Sequence, residues 1–558
     1  MARHLSSSPK SPPPTPEQQQ KQKHLSTRHR SSTPIHPGAE SHHLQEIDSP
    51  VQLRSEGTMR IVQLNRERAL NALDHHMISL IDHAFNEIEP SPNAATVLFR
   101  GLARSMCAGG DVMSIVKAAD NSDFHKRMHS SRFFEREIVQ NYRVHTMREH
   151  STELGHPKTY LGLWDGIIMG GGVGMTVHGP IRIATERTLF AMPETAIGYF
   201  PDVGLTHTFS RMDGGIGMYV GLTGGRLNGA DAYLTGFATH YMHSHAVDEM
   251  LRRISSLPMS TATHEENVVR ALDEFTVNPF DDDENLAKNC VFLGDKRVAL
   301  DFAFTRDTIE QVIAVLDDIA QRRQDSYTGE ELAKRGLPAI TEDVAAWASQ
   351  THATLLARSP RSLKVTFRAI REARDQTLAE NMHANIRIAT AFCDLSLGRD
   401  FHTGVMHVLG KDPKTGKRNA GIPKWEPSRL QDVSDEYLQT FFFSTEEKAR
   451  KAGMQLKVPK LHLVPVTGKD RESRKAREQE MRGVGPLRWN SKWNKYALPS
   501  EAELAALHEG SHPASGSYVL EPAELLETIA RYHNNKPGLR LKVQDWLDRR
   551  ARLQQASP

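Results

Sequence analysis

The sequence predicts an α/β fold, and two kinds of pattern carry that prediction. Short apolar runs with strand character occur at 60–65, 96–99, 160–164 and 182–184, and segments of helical periodicity separate them. Such alternation is typical of βα units and disfavours a β-sandwich. From about 245 to 400 the periodicity is mainly helical, so a helical C-terminal region should follow the sheet.

The first helix shows how each element is identified. Across 72–87, apolar residues recur at spacings of three and four, which places them on one face of a helix. Asn71 is the expected N-cap, because its side-chain oxygen can accept a hydrogen bond from the first turn. By the same criterion, further helices are predicted over 171–178, 308–322, 362–397, 523–532 and 541–553.

Composition limits the classes of protein to consider. The 558 residues carry 70 Lys and Arg against 68 Asp and Glu, so the net charge is +2 and no global field draws the chain to nucleic acid or membrane. Cys107, Cys290 and Cys393 form no C-x-x-C pair, which argues against a disulfide scaffold or a zinc finger. No apolar run of about 18 residues occurs, so no transmembrane helix is predicted.

The chain divides into three predicted segments. Residues 1–48 are rich in proline, serine and basic residues, which is typical both of a disordered tail and of an organelle transit peptide. Residues 49–445 form the predicted folded domain. Residues 446–558 form a predicted C-terminal extension, because fourteen Lys and Arg against four Asp and Glu lie between 448 and 495. Binding to nucleic acid, if present, is expected to come from that local excess.

Two glycine-rich loops are the first candidate functional features. Gly109 and Gly110 follow the strand predicted at 96–99, and Gly170 to Gly174 open the helix predicted at 171–178. Glycine allows close approach to a ligand, and N–H groups at a helix start can bind negative charge. Two such groups that converge would form an oxyanion hole. Tight turns with close packing would explain the same glycines, and no Gly-Lys-Ser/Thr follows to indicate a P-loop.

Two carboxylates are the second feature. Glu194 and Asp202 lie eight residues apart in an apolar segment that prolines and glycines shape. Carboxyl groups in such surroundings tend to have raised pKa values and can act as base, acid or nucleophile. The structural alternative is that Glu194 occupies the first turn of a helix after Pro193 and that Asp202 forms a turn.

Together these motifs resemble the crotonase (enoyl-CoA hydratase/isomerase) superfamily, with the best match in its 3-hydroxyisobutyryl-CoA hydrolase branch. The resemblance spans about 51–445 and implies a ββα superhelix followed by helices. The motifs that carry it are Leu64-Asn65-Arg66, Cys107-Ala-Gly-Gly-Asp111, Met169-Gly-Gly-Gly-Val-Gly174, the segment around Glu194 and Asp202, Leu222-Thr-Gly-Gly-Arg-Leu227, Asp400-Phe401-His402 and Lys424-Trp425.

The resemblance implies roles for five residues. The backbone N–H groups of Gly110 and Gly171 would polarise the thioester carbonyl of an acyl-CoA. Glu194 stands where the family places its catalytic glutamate, and Asp202 where the hydrolase branch adds an aspartate. Glu137 would contact the hydroxyl end of the substrate. The implied reaction is hydrolysis of 3-hydroxyisobutyryl-CoA, or of a similar short β-hydroxyacyl-CoA, as in valine breakdown; it requires no metal and no cofactor besides the CoA of the substrate.

Gly174 distinguishes the hydrolase branch of the superfamily from the hydratases. It occupies the place where hydratases carry their second catalytic glutamate, and hydration needs two carboxylates around one water, so the resemblance implies that the chain is not a hydratase. Thr403, Met406 and Gly410 depart from the family pattern, and the contacts with the CoA tail are therefore expected to differ.

Two other groups of residues are weaker candidates for a functional role. His240, His243 and His245 are expected to be surface histidines rather than metal ligands, because no second ligand cluster lies nearby in the sequence. Cys107 has no basic neighbour that would activate a thiolate, so a small buried residue is expected there.

The basic extension keeps a second function open. Trp489, Trp493 and Tyr496 lie among its Lys and Arg residues, a combination suited to base stacking beside phosphate contacts. A solvated basic tail folded over the enzyme would have the same composition. In some lineages a hydrolase-like protein of this family is a subunit of the mitochondrial ribosome's small subunit, and an RNA-binding tail would fit that role. Both interpretations imply a mitochondrial location, while the oligomeric state stays open.

Overall fold

Two β-sheets form the framework of the molecule. The computed structural model describes residues 44, 47–259, 263–323, 340–411, 415–463 and 494–555. The strands are β1 (Val51–Glu56), β2 (Met59–Leu64), β3 (Thr96–Gly101), β4 (Ser105–Cys107), β5 (Thr159–Trp164), β6 (Ile167–Met169), β7 (Ile181–Ala184), β8 (Leu189–Ala191), β9 (Leu227–Asn228) and β10 (His240–Tyr241). All four strands predicted from the sequence are present, as β2, β3, β5 and β7.

The larger sheet is mostly parallel. Its six strands follow the order β1-β2-β3-β5-β7-β10. Only β1 and β2 pair in antiparallel fashion, with Val51 opposite Leu64. The other neighbours are parallel, so each pair needs a crossover connection, which matches the βα units predicted from the sequence.

The smaller sheet explains where the functional loops lie. Its four strands follow the order β4-β6-β8-β9, and β4, β6 and β8 run parallel. The chain passes from β3 to β4, from β5 to β6 and from β7 to β8, and after each pair it enters a helix or a 3₁₀ turn. This repeated strand, strand, helix order is the ββα superhelix. Because parallel strands share one carboxyl edge, the loops after β4, β6 and β8 lie side by side.

Helices surround the sheets and continue to the C-terminus. Those of the first part are α1 (His75–Ile88), α2 (Val112–Ala119), α3 (Phe124–Glu153), α4 (Gly171–Val177), α5 (Leu205–Phe209), α6 (Ile216–Thr223), α7 (Gly229–Leu234), α8 (Val247–Ser255), α9 (His264–Asp273), α10 (Pro279–Asp282) and α11 (Glu284–Asn289). Those of the second part are α12 (Gly294–Phe304), α13 (Ile309–Ala320), α14 (Glu342–Leu356), α15 (Pro360–Glu372), α16 (Leu378–Cys393), α17 (Asp400–Val408), α18 (Asp435–Phe441), α19 (Glu446–Lys451), α20 (Glu501–His508), α21 (Pro522–Tyr532) and α22 (Leu539–Gln555). The helical character predicted for the region after 245 is therefore confirmed.

Apolar residues cover both faces of the larger sheet. On β3, Val97 and Phe99 belong to the main core, whereas Leu98 belongs to a second cluster beneath α8 and α9. Successive side chains of a strand point to opposite faces, so this alternation follows from the strand itself. The helices α8 and α9 contribute Met250 and Leu272 to the second cluster. The sheet is thus held from both sides, which fixes the positions of its carboxyl ends.

The prediction that Asn71 caps the first helix is wrong. Helix α1 begins at His75, and Asp74 is its N-cap, accepting a hydrogen bond from Met77 N at 2.9 Å. Asn71 has φ +58°, whereas a helix N-cap normally has extended backbone angles. Its buried side chain instead accepts from Arg66 N at 2.7 Å and donates to Ser105 O at 2.7 Å. Asn71 therefore ties the loop before α1 to β4.

Residues 494–555 pack against the folded body. Leu504, Leu525 and Val543 are buried in the same core as the larger sheet. Polar contacts accompany them: Arg297 forms an ion pair with Glu501 at 3.0 Å. Further polar contacts join Lys542 to Asp213, Tyr233 to Pro537, Gly294 to Asp545 and Arg182 to Asn494. The boundary predicted at 446 stays a prediction, but these residues contribute to the core rather than forming a separate tail.

Some predicted features lie outside the described residues. They are most of the 1–48 segment and the most basic part of the extension, including Trp489 and Trp493. The described flanks of the basic part are in contact with the body: Asp394 accepts from Leu456 N at 2.7 Å, and Lys495 pairs with Glu265 at 2.7 Å. Within the described ranges, no helix has both the length and the apolar character needed to cross a membrane.

Candidate active site

The carboxyl edge of the smaller sheet brings the two glycine loops together. Strand β4 leads into Gly109 and Gly110, and β6 leads into Gly170 and Gly171. A Cβ atom placed on Gly109 would lie 3.6 Å from Gly170 Cα and 3.7 Å from Gly171 N. The two loops are therefore in van der Waals contact, as the oxyanion-hole interpretation requires.

Glycine is necessary at these positions for steric reasons. Gly109 and Gly170 have φ values of +94° and +48°, which side chains disfavour. A Cβ on Gly171 would come within 1.9 Å of Glu137 Oε1, and one on Gly110 within 2.9 Å of Phe133 Cε1. The close packing that offered another explanation of these glycines is therefore present. It coexists with an arrangement of the two loops that can bind a ligand.

The N–H groups of Gly110 and Gly171 are available to a ligand. Gly171 is the first residue of α4, so its N–H has no partner within the helix. Neither N–H donates a hydrogen bond to any residue in the described part of the chain. Two free N–H donors from adjacent loops can stabilise negative charge that develops on a carbonyl oxygen.

Glu194 lies beside the second glycine loop. It follows Pro193 and begins a 3₁₀ turn, Glu194–Ile197, directly after β8. Its side chain is buried, and a Cβ on Gly170 would lie 3.1 Å from its Oε1. Its Oε2 accepts no hydrogen bond from the described residues. Burial, together with the charge of Asp202, raises the pKa of this carboxyl well above its ordinary value.

Asp202 is the second buried carboxyl of this group. It follows Pro201 in the loop between the 3₁₀ turn and α5, and Tyr199 donates a hydrogen bond to its Oδ2 at 3.0 Å. Burial raises the pKa of Asp202 to about 7, although the Tyr199 hydrogen bond acts to lower it. An aspartate with this pKa can both give and take a proton near neutrality.

The loop that carries Asp202 is held in an unusual conformation. Val203 has φ +48°, a left-handed backbone that a β-branched residue adopts only under constraint. His178 Nε2 lies 2.7 Å from Val203 O, and Gly204 N donates to Asn385 Oδ1 at 2.9 Å. Contacts from His178, which directly follows α4, and from α16 therefore fix the loop and with it the position of Asp202.

Glu137 supplies a third carboxyl from α3. It is buried, and its Oε1 accepts no hydrogen bond from the described residues. Burial raises its pKa well above the ordinary value, and the charges of Asp202 and Glu194 raise it further. Because the three groups interact electrostatically, the site favours states in which at least one of them is protonated.

Position 174 has no room for an additional carboxylate. A Cβ on Gly174 would lie 2.6 Å from Val203 Cβ and 2.8 Å from the side-chain amide of Asn141. Both neighbours are buried, and Val203 belongs to the constrained loop described above. A glutamate side chain at this position would require the loop to move.

The five residues predicted from the sequence thus lie in one site: Gly110, Glu137, Gly171, Glu194 and Asp202. Their roles stay predictions. Sequence reasoning missed Tyr199, because a tyrosine in an apolar run reads as core. It also missed Asn141 and Asn385, whose part depends on contacts between distant helices that no local pattern shows.

The remaining candidates lie apart from this group. Cys107 is buried behind Gly172, and burial raises its pKa to about 12, so it is a packing residue. The prediction that His240 is a surface histidine is wrong: it is fully buried on β10, 2.8 Å from Thr239 Oγ1. The His243 and His245 rings stack on each other at 5.3 Å. In the described ranges, no three His, Cys, Asp or Glu residues are placed to hold a metal ion.

Comparison with known proteins gives a consistent result. A family model described as "Enoyl-CoA hydratase/isomerase" matches residues 59–442. A search of solved structures finds a carnitinyl-CoA dehydratase from Mycobacterium thermoresistibile, with a TM-score of 0.54 and 28% identity, covering 71% of this chain and 97% of that one.

Two curated relatives differ in how much of the chain they match. The chain is 33% identical over 424 residues to 3-hydroxyisobutyryl-CoA hydrolase 1 of Arabidopsis thaliana, covering 75% of this chain and 97% of that protein. It is 31% identical over 517 residues to small ribosomal subunit protein mS47 of Neurospora crassa, covering 91% of this chain and 87% of that protein.

Proposed function

The chain belongs to the enoyl-CoA hydratase/isomerase family, and from that premise we propose that it hydrolyses the thioester of 3-hydroxyisobutyryl-CoA, or of a similar short 3-hydroxyacyl-CoA, to the free acid and CoA. One observation carries the proposal: two free N–H donors lie beside the buried carboxyl Glu194, which interacts with Asp202. The name of the Arabidopsis relative supports the choice of a hydrolase.

The proposed reaction uses the site as follows. The thioester oxygen accepts hydrogen bonds from the N–H groups of Gly110 and Gly171, each worth about 3–4 kcal/mol of the barrier. Glu194 either attacks the carbonyl carbon or takes a proton from the attacking water. The carbon–sulfur bond then breaks, and the departing sulfur takes up a proton, from Asp202 after attack by water or from solvent after direct attack, to give the CoA thiol. If Glu194 attacks directly, water hydrolyses the resulting anhydride in a second step.

Asp202 and Glu137 complete the proposed chemistry. Asp202 receives the proton of the water, by way of Glu194 when water attacks the thioester and directly when water hydrolyses the anhydride. It returns that proton to the departing sulfur or to solvent, a role that its pKa of about 7 permits. Glu137, which lies next to Gly171, contacts the 3-hydroxyl group of the acyl chain. The proposed reaction requires neither a metal ion nor a redox cofactor, because the two N–H donors stabilise the oxyanion and hydrolysis changes no oxidation state.

A direct assay tests the proposal. Purified protein is mixed with a series of CoA thioesters, and the released thiol is measured with a thiol reagent. We expect release from 3-hydroxyisobutyryl-CoA to exceed release from isobutyryl-CoA, which lacks the hydroxyl group, by about tenfold or more, since a buried carboxyl left without its hydrogen-bond partner costs roughly 1–3 kcal/mol. Absence of release from every short 3-hydroxyacyl-CoA by folded protein would exclude the proposed activity.

The reaction class gives a separate prediction. Hydration of crotonyl-CoA should be at least about 10³-fold slower than thioester hydrolysis, because position 174 lacks the second carboxylate. The variant Gly174→Glu should not gain hydration, since Val203 and Asn141 fill the space that the side chain would need. Loss of the enoyl absorbance measures hydration. Efficient hydration by the natural protein would contradict the assignment to the hydrolase branch.

A second candidate function rests on the extent of one match. The Neurospora relative is a small ribosomal subunit protein, and its match covers 91% of this chain, so it must extend into the residues beyond 446. The Arabidopsis hydrolase matches 75%. The segment 448–495 carries an excess of ten positive charges, which suits contact with RNA phosphates. We therefore propose mitochondrial ribosomal association as the alternative, and a mitochondrial location under either function.

Sedimentation distinguishes the two candidates. If the chain is a ribosomal subunit, it should sediment with small ribosomal subunits from an organelle lysate at low salt and dissociate from them as salt increases, because released counterions make such binding salt-dependent. Glu194→Gln should leave that sedimentation unchanged. Migration only as free protein at every salt concentration would exclude the ribosomal candidate and leave the hydrolase.

A further inference from the structure

Tyr199 contacts the proposed catalytic group from a position that the sequence did not reveal. It lies between the 3₁₀ turn that carries Glu194 and the loop that carries Asp202. Its hydroxyl donates to Asp202 Oδ2 at 3.0 Å, and both side chains are buried. This bond therefore forms away from bulk water, where a charged acceptor strengthens it.

The ring of Tyr199 is fixed by aromatic neighbours. It stacks on Phe401 at a centroid distance of 4.5 Å and on Phe134 at 5.3 Å. The ring of Phe392 meets it edge-on at 5.3 Å. These contacts come from α17, α3 and α16, so rotation of the tyrosine away from Asp202 would disturb three helices. The hydroxyl is thus a preorganised donor.

The groups that face Asp202 are otherwise acidic. Glu194 and Glu137 act on it from the 3₁₀ turn and from α3, and Cys393 faces it from α16. Within the described part of the chain, no Lys or Arg side chain forms an ion pair with Asp202. Burial disfavours its ionised form, and the Tyr199 hydroxyl is the side-chain contact that favours it.

We infer that Tyr199 is a positioning residue for the proposed hydrolysis: its hydroxyl holds the Asp202 carboxylate in one orientation and keeps it ionised until it receives the proton of the water. The inference rests on the proposed function. Tyr199 does not contact the substrate in this scheme; it acts only through Asp202.

The pH dependence of hydrolysis is the first test. Tyr199→Phe keeps the ring and removes the donor, so Asp202 should ionise at higher pH. We expect the ascending limb of kcat/KM to move upward by about one pH unit, which corresponds to about a tenfold loss near pH 6.5 and recovery at alkaline pH. A profile that superimposes on that of the natural protein would refute the role of Tyr199.

Thermal stability provides a readout that does not depend on activity. The pKa of Asp202 is about 7 in the folded protein, above the ordinary value of 3.8, so this group makes stability fall as pH rises toward 7. In Tyr199→Phe the fall should continue to higher pH, and the Tm difference from the natural protein should widen between pH 6 and pH 8.5. In an Asp202→Asn background that widening should disappear.

A matched control separates this effect from simple loss of a buried hydroxyl. Tyr160 is also buried, and its hydroxyl donates to Met175 O at 2.7 Å, an acceptor that does not titrate. Tyr160→Phe should change Tm by an amount that is independent of pH. If the natural protein releases no CoA but the Tm differences behave as described, the proposed function fails while the Tyr199–Asp202 interaction stands. A pH-independent difference for Tyr199→Phe would overturn the inference.

Discussion

Replacing Glu194 with glutamine is expected to slow CoA release from 3-hydroxyisobutyryl-CoA by about 10³-fold or more and, at the same time, to stabilise the fold. The loss follows because an amide can neither attack the thioester nor accept a proton from water, and such groups contribute roughly 10²–10⁴-fold or more. Glutamine has nearly the same size as glutamate, so the surrounding loops should keep their positions.

The gain in stability follows from the sign of the pKa shift. The folded pKa of Glu194 lies well above the unfolded value of 4.5, so the natural protein loses stability as pH rises from the unfolded pKa toward the folded one. Glutamine removes that dependence. The Tm of the variant should therefore exceed that of the natural protein, and the difference should be larger at pH 8 than at pH 5.

Glu87→Gln is the matched control for this experiment. Glu87 lies on an exposed part of α1, so this variant makes the same chemical change at an exposed position. It should leave CoA release unchanged and alter the free energy of unfolding by no more than about 0.5 kcal/mol. Turnover by Glu194→Gln at the natural rate would show that Glu194 is not the catalytic carboxyl, whatever happens to Tm.

Removal of residues 494–558 should prevent the remaining chain from folding. The composition of residues 446–558 predicts an extension, but Leu504, Leu525 and Val543 fill the common core. Deleting a single buried leucine side chain costs about 2–5 kcal/mol, and a domain is stable by only about 5–15 kcal/mol in total. The truncation would also leave buried Arg297 without Glu501. Circular dichroism and soluble yield would measure the result.

Two point variants test the role of these residues in the core at a smaller scale. Leu504 is fully buried, so Leu504→Ala should lower the free energy of unfolding by about 2–5 kcal/mol. Val519 is 68% exposed, and Val519→Ala should change the free energy of unfolding by no more than about 0.5 kcal/mol. A truncated chain with natural secondary structure and full CoA release would instead show that the extension folds independently of the enzyme.

The sequence predicted the framework because local patterns determine it. The strands at β2, β3, β5 and β7 are short runs of apolar residues, and helices such as α1 and α13 have clear three-and-four spacing. The two glycine loops were identifiable because their glycines serve both backbone conformation and close packing. Patterns of this kind act within a few residues, so a single sequence displays them.

What the sequence did not predict depends on contacts between distant segments. His240 looks like a surface histidine beside His243 and His245, but packing of β10 inside the fold buries it. Asn71 resembles an N-cap until its left-handed backbone is known. Tyr199 is a candidate functional residue only because it contacts Asp202. The loop that carries Asp202 is in turn held by Asn385, more than 180 residues later in the chain, which accepts a hydrogen bond from Gly204 N. Residue type alone carries no such information.

The contribution of residues 494–555 to the core has a consequence for the order of folding. During synthesis the N-terminal strands emerge first, yet the helices that cover part of their core emerge several hundred residues later. A growing chain therefore exposes apolar surface until those helices have been made. Loop closure across several hundred residues also slows the final step. Chaperones that bind exposed apolar segments should accordingly associate with the growing chain before residues 494–555 emerge and release it only after those helices have docked.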